Sequence, residues 1–359
     1  MLAICRGRIL ERIDGGFARQ HQPSYEQMKI WTASAIIGLA LCCSTTARAV
    51  TIDWATVGNP GNSYNNNVLG SSRYGAVDYV YRISKHEVTN AQYAEFLNAV
   101  AASDTYGLYN NSMNSSLRGG IVRSGTSGSY TYSVKAPVFR NIPVVCSYTY
   151  TYDNKPVNFV SQSDAMRFIN WLQNGQTNSG TENGGHSMLN AGLRAVDAKF
   201  FLPNTHEWYK AAYHKNDGVT GNYWEYPTAS NEEPNNNPPA ADTGNSANFL
   251  PLNGAWATRD GLFPMTDVGA YSHSPSPYGT FDQGGNLYEW VDKAFQGGEC
   301  TLRGGAFADF AGRMSASRCA IGSEESSEVG FRVAAAVPEP STLLLTVLSV
   351  IGLMTRKRP

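Results

Sequence analysis

Apolar side chains in this sequence recur at strand or helix spacing in a few short stretches, with long polar segments between them. Val77, Tyr79, Tyr81 and Ile83 occupy every second position, which predicts a strand over 77–83 with all four on one face. Tyr93, Phe96, Leu97 and Val100 follow at helical spacing, so 91–100 predicts a helix that Thr89 or Asn90 caps. Pro156-Val157-Asn158-Phe159-Val160 reads as a short apolar strand. Ser161 and Ser163 precede a second helix over 164–173, with Ala165, Phe168, Ile169 and Leu172 facing inward. A third helix starts near His206, behind Phe200-Phe201-Leu202-Pro203-Asn204-Thr205, and carries Glu207, Trp208, Ala211 and Ala212. The polar stretches read as an irregular lead-in at 50–75, a surface excursion at 104–135, and loops at 174–186 and 231–245. No repeat of about 20–50 residues appears, which sets aside solenoids and propellers. The class is α+β: one compact domain whose long loops need bound metal or buried turns to hold them.

Composition agrees with this picture. Of 359 residues only 16% are charged, with 35 Gly and 20 Tyr, which argues against a helical bundle and for a loop-rich fold. A net charge of -1 and the lack of a basic stripe give no reason to expect nucleic acid. In the C-terminal third three signals stand in order: Gly284-Gly285-Asn286-Leu287-Tyr288-Glu289-Trp290, Arg303-Gly304-Gly305-Ala306-Phe307 and Gly330-Phe331-Arg332-Val333. Glycine beside an aromatic and a charge predicts tight turns pinned by ring packing and buried, hydrogen-bonded charge.

Both ends read as targeting segments. Residues 28–49 form a signal peptide: Met28-Lys29, an apolar run over 30–43, then Ala47-Arg48-Ala49 as the cleavage pattern. Residues 1–27 read as an extension upstream of a true start at Met28. At the other end Val337-Pro338-Glu339-Pro340-Ser341 precedes an apolar run over 342–354 and Arg356-Lys357-Arg358. That run is shorter than the roughly 17–25 residues of a spanning helix, so it reads as a weak, transient membrane anchor with a cytoplasmic basic tail. Residues 338–359 resemble the PEP-CTERM sorting signal of Gram-negative bacteria. The resemblance implies an exosortase-type protease as partner and export to the cell envelope or extracellular matrix. The functional domain is then 50–337. It keeps Cys146, Cys300 and Cys319. Cys300 and Cys319 flank the Arg303 turn and bridge if their strands return side by side, leaving Cys146 free. No Cys-x-x-Cys occurs, so neither a structural zinc site nor a thioredoxin-type motif is supported.

Six pieces in order carry a second resemblance. They are Glu87-Val88-Thr89-Asn90-Ala91-Gln92-Tyr93, Pro156-Val157-Asn158-Phe159-Val160, Leu202-Pro203-Asn204-Thr205-His206-Glu207-Trp208, Gly285-Asn286-Leu287-Tyr288-Glu289-Trp290, Arg303-Gly304-Gly305 and Gly330-Phe331-Arg332. From about residue 76 to 336 the chain resembles the formylglycine-generating enzyme (sulfatase-modifying factor) family. The resemblance implies a loop-rich formylglycine-generating-enzyme-like fold in the C-type lectin-like superfamily. Enzymes of that family oxidise a sulfatase cysteine to formylglycine with molecular oxygen and copper held by two cysteines. Those two positions fall on Asp309 and Met314; the usual serine of the turn is Ala306, and the first Trp of the family pattern is Tyr288. Soft Cu(I) selects thiolate or thioether sulfur, so the site is degenerate, copper is not expected and no catalytic residue is assigned. Cys319 matches a structural cysteine of the family. The resemblance also implies structural Ca²⁺, at Asn248, Phe249, Asp260 and Leu262, and at Asp282, Gly285, Leu287 and Glu289, with Asp282 in place of the family's Asn. Hard Ca²⁺ takes carboxylate and carbonyl oxygens, which suits both sets. Glu289, between Tyr288 and Trp290, is expected to be partly buried and to need a cation or donors.

Other constellations are weaker. His206-Glu207 is not a zincin motif because position 210 is Lys210; His206 and His214 read as surface or capping residues. Gly125-Thr126-Ser127-Gly128 is one residue short of a nucleophile elbow. Arg303 and Arg332 are either substrate clamps or, in the preferred reading, buried partners of Glu289 or of turn carbonyls. The function that follows is an exported, non-catalytic binding or matrix module whose Tyr- and Asn-rich loops suit glycan or protein contact. The alternatives are a formylglycine-generating-type oxidase, or other enzyme, with a rearranged site, and a purely structural envelope protein.

Overall fold

Three helices begin where a short polar side chain precedes an apolar stripe. In the computed structural model, which describes residues 49–338 except 67–72, 143–145, 253, 255, 259, 293–299 and 323, they are α1 (Asn90–Val100), α3 (Gln162–Gln173) and α4 (Thr205–Tyr213), with a single turn, α2 (Ser112–Ser115), between the first two. Thr89, Ser161 and Asn204 are the N-caps, and each is answered by the third residue of its helix: Gln92, Asp164 and Glu207 return a side chain to the cap's own N–H. This reciprocal box satisfies two otherwise orphaned donors. It explains why the helix starts lie within a residue or two of those the sequence predicts. The predicted leader and the sorting tail, apart from Ala49 and Pro338, lie outside the described residues.

The apolar stripes of α1 and α3 meet. Tyr93, Phe96 and Leu97 pack on Phe168, Ile169 and Trp171, with Phe331 closing the cluster. Phe168 stands edge-on to both Phe96 and Phe331 at 5.4 Å, a favoured aromatic geometry. Beside this core lies an antiparallel sheet in the order β1 (Trp54–Val57), β2 (Tyr81–Ser84), β13 (Ala334–Ala336), β9 (Phe200–Phe201). A second sheet centres on β10 (Tyr288–Trp290), antiparallel to β11 (Leu302–Arg303) and parallel to β12 (Val329–Gly330). In its register Glu289 faces Arg303 on one side and Gly330 on the other. Three hairpins complete the fold: β3 (Ile121–Ser124) with β4 (Thr131–Val134), β5 (Val138–Ile142) with β6 (Cys146–Tyr150), and β7 (His186–Ser187) with β8 (Leu193–Arg194).

Four expectations need correction. The strand predicted over 77–83 begins only at Tyr81; Val77, Tyr81 and Ile83 are buried, but Tyr79 is 46% exposed. The run 156–160 is buried yet is not a strand. One bridge joins Pro156 to Thr89, Val157 N donates to Val88 O at 2.8 Å, and a positive φ of 56° at Phe159 turns the chain away. Its apolar character signalled burial, not a ladder. The expected lead-in contains β1. Segment 104–135 is not a surface excursion, for Leu108, Tyr109, Met113, Ile121 and Tyr132 join the α1 core. Tyrosine misleads there because its ring buries while its hydroxyl finds a carbonyl: Tyr132 donates to Ala101 O at 2.8 Å, and Tyr93 to Leu108 O at 2.9 Å.

Candidate functional site

Where β10, the segment after β12 and α4 converge, a carboxylate and a guanidinium are sealed from water. Arg332 Nε donates to Glu289 Oε2 and Arg332 Nη2 to Oε1, both at 2.6 Å, and Trp208 Nε1 donates to Oε2 at 2.6 Å. The other Arg332 donors reach Ser84 O at 3.0 Å, Lys85 O at 3.2 Å and Phe281 O at 2.8 Å. All five guanidinium N–H groups therefore have acceptors, which lets a fully buried pair persist. Arg332 is the Glu289 partner that the sequence suggested. Arg303 is not. It is fully buried, donates Nη1 to Arg318 O at 3.0 Å, and lies 4.3 Å from the Tyr74 ring centroid and 5.1 Å from that of Tyr209. Its Nε and Nη2 have no hydrogen-bond partner. Burial holds its pKa below the ordinary value.

Two further acids surround the pair. Glu87 is buried; its Oε1 accepts from Asn286 Nδ2 at 3.5 Å and its Oε2 has no partner. Burial, then Asp282 and Glu289, push its carboxyl well above the usual range. Asp282, at a positive φ of 57°, accepts from Gly269 N, and burial pushes its carboxyl up to about 6. Sequence reasoning missed Glu87, although Glu87-Val88-Thr89-Asn90 had been singled out as the approach to a helix.

These contacts test the calcium sets. In the set Asp282, Gly285, Leu287 and Glu289, both Glu289 oxygens already serve Arg332, and a second cation there meets the guanidinium's charge; that carboxylate does not fit Ca²⁺. In the other set, the buried Asn248 donates Nδ2 to Pro264 O at 2.9 Å and to Asn286 Oδ1 at 3.1 Å, while its own Oδ1 has no partner. An orphaned amide oxygen fits a hard cation. Asp260 is partly answered: Oδ2 accepts from Arg140 Nε at 2.8 Å and Tyr148 OH at 3.0 Å, and Oδ1 from Leu262 N at 3.0 Å. Burial pushes this carboxyl up, but those donors outweigh it and the pKa is lowered. The Phe249 carbonyl accepts from Asn236 Nδ2 at 3.0 Å. The two sets also touch, for Asn286 N donates to Asn248 O at 2.8 Å, and a Cβ on Gly285 would stand 2.3 Å from that same oxygen. Among the described residues, no three His, Cys, Asp or Glu side chains gather as a metal site.

The turn after β11 keeps its form. Gly304 and Gly305 have φ of 98° and 72°, and Ala306 and Phe307 are buried. Asp309 closes the turn on itself: Oδ2 accepts from Ala306 N at 3.1 Å, and its own N donates to Ala306 O at 3.0 Å. Met314 is buried with Ala247, Phe249 and Ala311. The two positions matched to the copper-binding cysteines thus hold a turn-closing acid and a core thioether. Cys300 and Cys319 are joined in a disulfide across β11. His214 is no surface residue: it is buried at the C-cap of α4, with Nδ1 2.8 Å from Tyr278 OH and Nε2 3.3 Å from Thr220 O. His206 lies half-buried between the rings of Tyr64 and Tyr74.

A groove of about 860 Å³ opens beside the start of α4, walled by residues 76–81, β8 with Ala195 and Val196, and the chain leaving β13. Its lining includes the polar side chains of Tyr64, Asp78, Tyr79, Arg194, Asn204 and His206. Glu207 ties three of these residues together: it accepts from Asn204 N, from Tyr79 OH, and from Arg194 Nη1 and Nη2, each at 2.8 Å. No local signal in the sequence marks the groove. Leu193 and Val196 were isolated apolar residues in a stretch with no periodicity.

The sequence pattern of the sulfatase-modifying factor enzyme 1-like domain matches residues 64–337, about three quarters of the chain. The chain belongs to the sulfatase-modifying factor enzyme 1-like family. The capped helices, the Arg303 turn and the Glu289–Arg332 pair all lie inside the match. A search of curated proteins finds no match. Three solved structures are similar in backbone trace to this family member. "Crystal Structure of CarF" has 20% identity, covering 80% of this chain and 99% of that one, with a TM-score of 0.45. Treponema denticola variable protein 1 has 16% identity, 81% and 98% coverage and a TM-score of 0.48. PvdO from Pseudomonas aeruginosa has 16% identity, 80% and 93% coverage and a TM-score of 0.42. At these values the likenesses carry nothing about chemistry.

Replacing Arg332 by Met leaves Glu289 buried without its partner, and urea denaturation should show a loss of about 3–5 kcal/mol. A loss below about 1 kcal/mol would show that the pair does not organise the fold. Asp282 is protonated to about pH 6 in the folded chain but only to about pH 4 when unfolded. Stability from this group is therefore present below pH 4 and lost as pH rises towards 6. Because Asp282 keeps some contact with solvent, the change is on the order of 1–2 kcal/mol. Asp282→Asn should flatten that part of the stability–pH curve, and an unchanged slope would remove Asp282 as its source.

Proposed function

We propose that this family member is an exported, non-catalytic binding module that offers the groove beside α4 to a carbohydrate of the cell envelope or matrix. The observation that carries the reading is the groove's aromatic and polar lining. Tyr64 and Tyr79 are exposed rings, and the polar residues Asp78, Asn204 and His206 line the same groove. Rings flanked by such groups suit sugars, which present apolar faces and hydroxyl edges. The state of the old turn supports the non-catalytic part, since Asp309 is spent on its own backbone and Met314 lies in the core. The Cys300–Cys319 disulfide supports export, because such bonds persist in oxidising compartments. The signal peptide, the PEP-CTERM tail with its exosortase partner, and transient anchoring by 342–354 in a Gram-negative envelope complete the proposal. So does one structural Ca²⁺ near the unpaired Asn248 Oδ1.

Glycan-array binding tests the main reading. The wild-type chain should retain a defined set of polysaccharides, and Tyr79→Ala should weaken retention by about tenfold while costing about 1.5–3 kcal/mol of stability through its lost bond to Glu207. No glycan binding, or oxidation of a Cys-x-Pro-x-Arg peptide with added copper, would overturn it. Calorimetric titration of the EDTA-treated protein should show Ca²⁺ heat that Asn248→Ala removes; a flat titration of the wild type would reject the calcium site.

A further inference from the structure

The charges along the groove beside α4 are not evenly answered. Its lining carries Arg194 and Asp78. The Arg194 fork is already taken. Nη1 and Nη2 each hold an oxygen of the buried Glu207 at 2.8 Å, Nη2 also reaches Leu202 O at 2.8 Å, and Nε lies 3.8 Å from Asp292. The guanidinium carbon stands 4.0 Å from the Phe201 ring centroid. A bidentate pair of this kind is charge-balanced, so an incoming carboxylate would have to displace Glu207 from a place where it is wholly buried.

Asp78 is in a different position. It is exposed, and among the described residues no ion pair holds it. The cation it acts on is Lys210, which is buried and donates to Asn59 O at 2.8 Å and Val77 O at 3.4 Å. Burial pulls the Lys210 amine down to about 8, and Asp78 acts against that shift. Burial and then Arg303 lower His206, while burial and then Glu207 raise Tyr79 and Tyr81, so these three add no charge near neutral pH. Asp197 and Lys199, on the wall after β8, are opposite in sign and outside the lining. What the groove offers a ligand is therefore one unanswered charge, and it is negative. Asp78 also precedes the exposed Tyr79 ring directly, with consecutive Cα atoms about 3.8 Å apart.

Resting on the carbohydrate reading above, we propose that the groove selects sugars that bear a free amine, with Asp78 as the residue that sets this specificity. The protonated amine pairs with the Asp78 carboxylate while the apolar face of the sugar lies on the Tyr79 ring. A uronate meets the Asp78 charge and finds Arg194 closed to it. An N-acetylated sugar keeps the ring contact and loses the charge. An exposed ion pair contributes little, so the result is a preference of about threefold to fivefold rather than an absolute requirement.

Calorimetry with three oligosaccharides of one length tests this: a β-1,4-linked glucosamine oligomer, its N-acetylated form and a galacturonate oligomer, at about pH 6.5, where a carboxylate is ionised. The wild type should bind the amine form about threefold to fivefold more tightly than the N-acetylated form, and the galacturonate most weakly. Salt at about 1 M, where the screening length is about 3 Å, should remove the difference. Asp78→Asn should bring the amine form down to the level of the N-acetylated one. Asp197→Asn, at an exposed acid outside the lining, should keep the preference. Equal binding of the amine and N-acetylated forms, tightest binding of galacturonate, or a preference that survives in Asp78→Asn overturns the amine selectivity; if Tyr79→Ala still weakens retention, the carbohydrate reading stands. Binding of the amine form that a non-sugar diamine matches and Tyr79→Ala leaves unchanged upholds Asp78 as the cation-selecting group and removes the carbohydrate reading instead. No binding of any of the three overturns both.

Discussion

The ion pair of Glu289 and Arg332 ties together parts of the chain that are hundreds of residues apart. Arg332 binds the carbonyls of Ser84, Lys85 and Phe281 while it holds Glu289, and Trp208 brings α4 to the same carboxylate. Burying two charges is costly unless every donor and acceptor is met, and here the guanidinium's five N–H groups all are. That completeness makes the arrangement specific, since moving any one of these segments strips an acceptor from a buried cation. It draws together the end of β2, β10, the approach to β13, and α4.

The rest of the core charge is less balanced. Glu87 has an oxygen with no partner and Arg303 has two nitrogens with none. Ring faces of Tyr74 and Tyr209 stand in for an anion at Arg303, whereas Glu87 is met by raising its pKa. Asn248 adds an orphaned amide oxygen close by. Such groups are where a proton, a cation or a ligand is energetically welcome.

The Arg303 turn is held by its own backbone and by a buried ring. Its glycines keep their positive φ and its aromatic stays buried. Asp309 and Met314 occupy the two matched positions with structural contacts of their own. A groove opens elsewhere, beside Glu207, where a capping acid also holds Tyr79 and Arg194. Family membership describes the frame, and the site has to be argued from its own residues.

Local signals determined what was legible in the sequence. A cap residue and an apolar stripe are both written within a dozen positions, so α1, α3 and α4 could be placed closely. The burial of Glu289 followed from its aromatic neighbours, whereas the Cys300–Cys319 bridge stayed conditional on their strands returning side by side, which they do. What depends on partners far away could not be read this way. Whether a tyrosine buries its ring, as Tyr132 does, or exposes it, as Tyr79 does, turns on which acceptor its hydroxyl can reach, the Ala101 carbonyl in one case and the Glu207 carboxylate in the other. Whether Glu289 meets a metal or a guanidinium turns on Arg332 arriving 43 residues later. The groove joins residues 76–81, 193–201 and 336–338, three segments with no common pattern. Periodicity and capping act over one or two turns of chain, while hydrogen-bond partners and cavities are set by which segments pack together, and that was decided only in three dimensions.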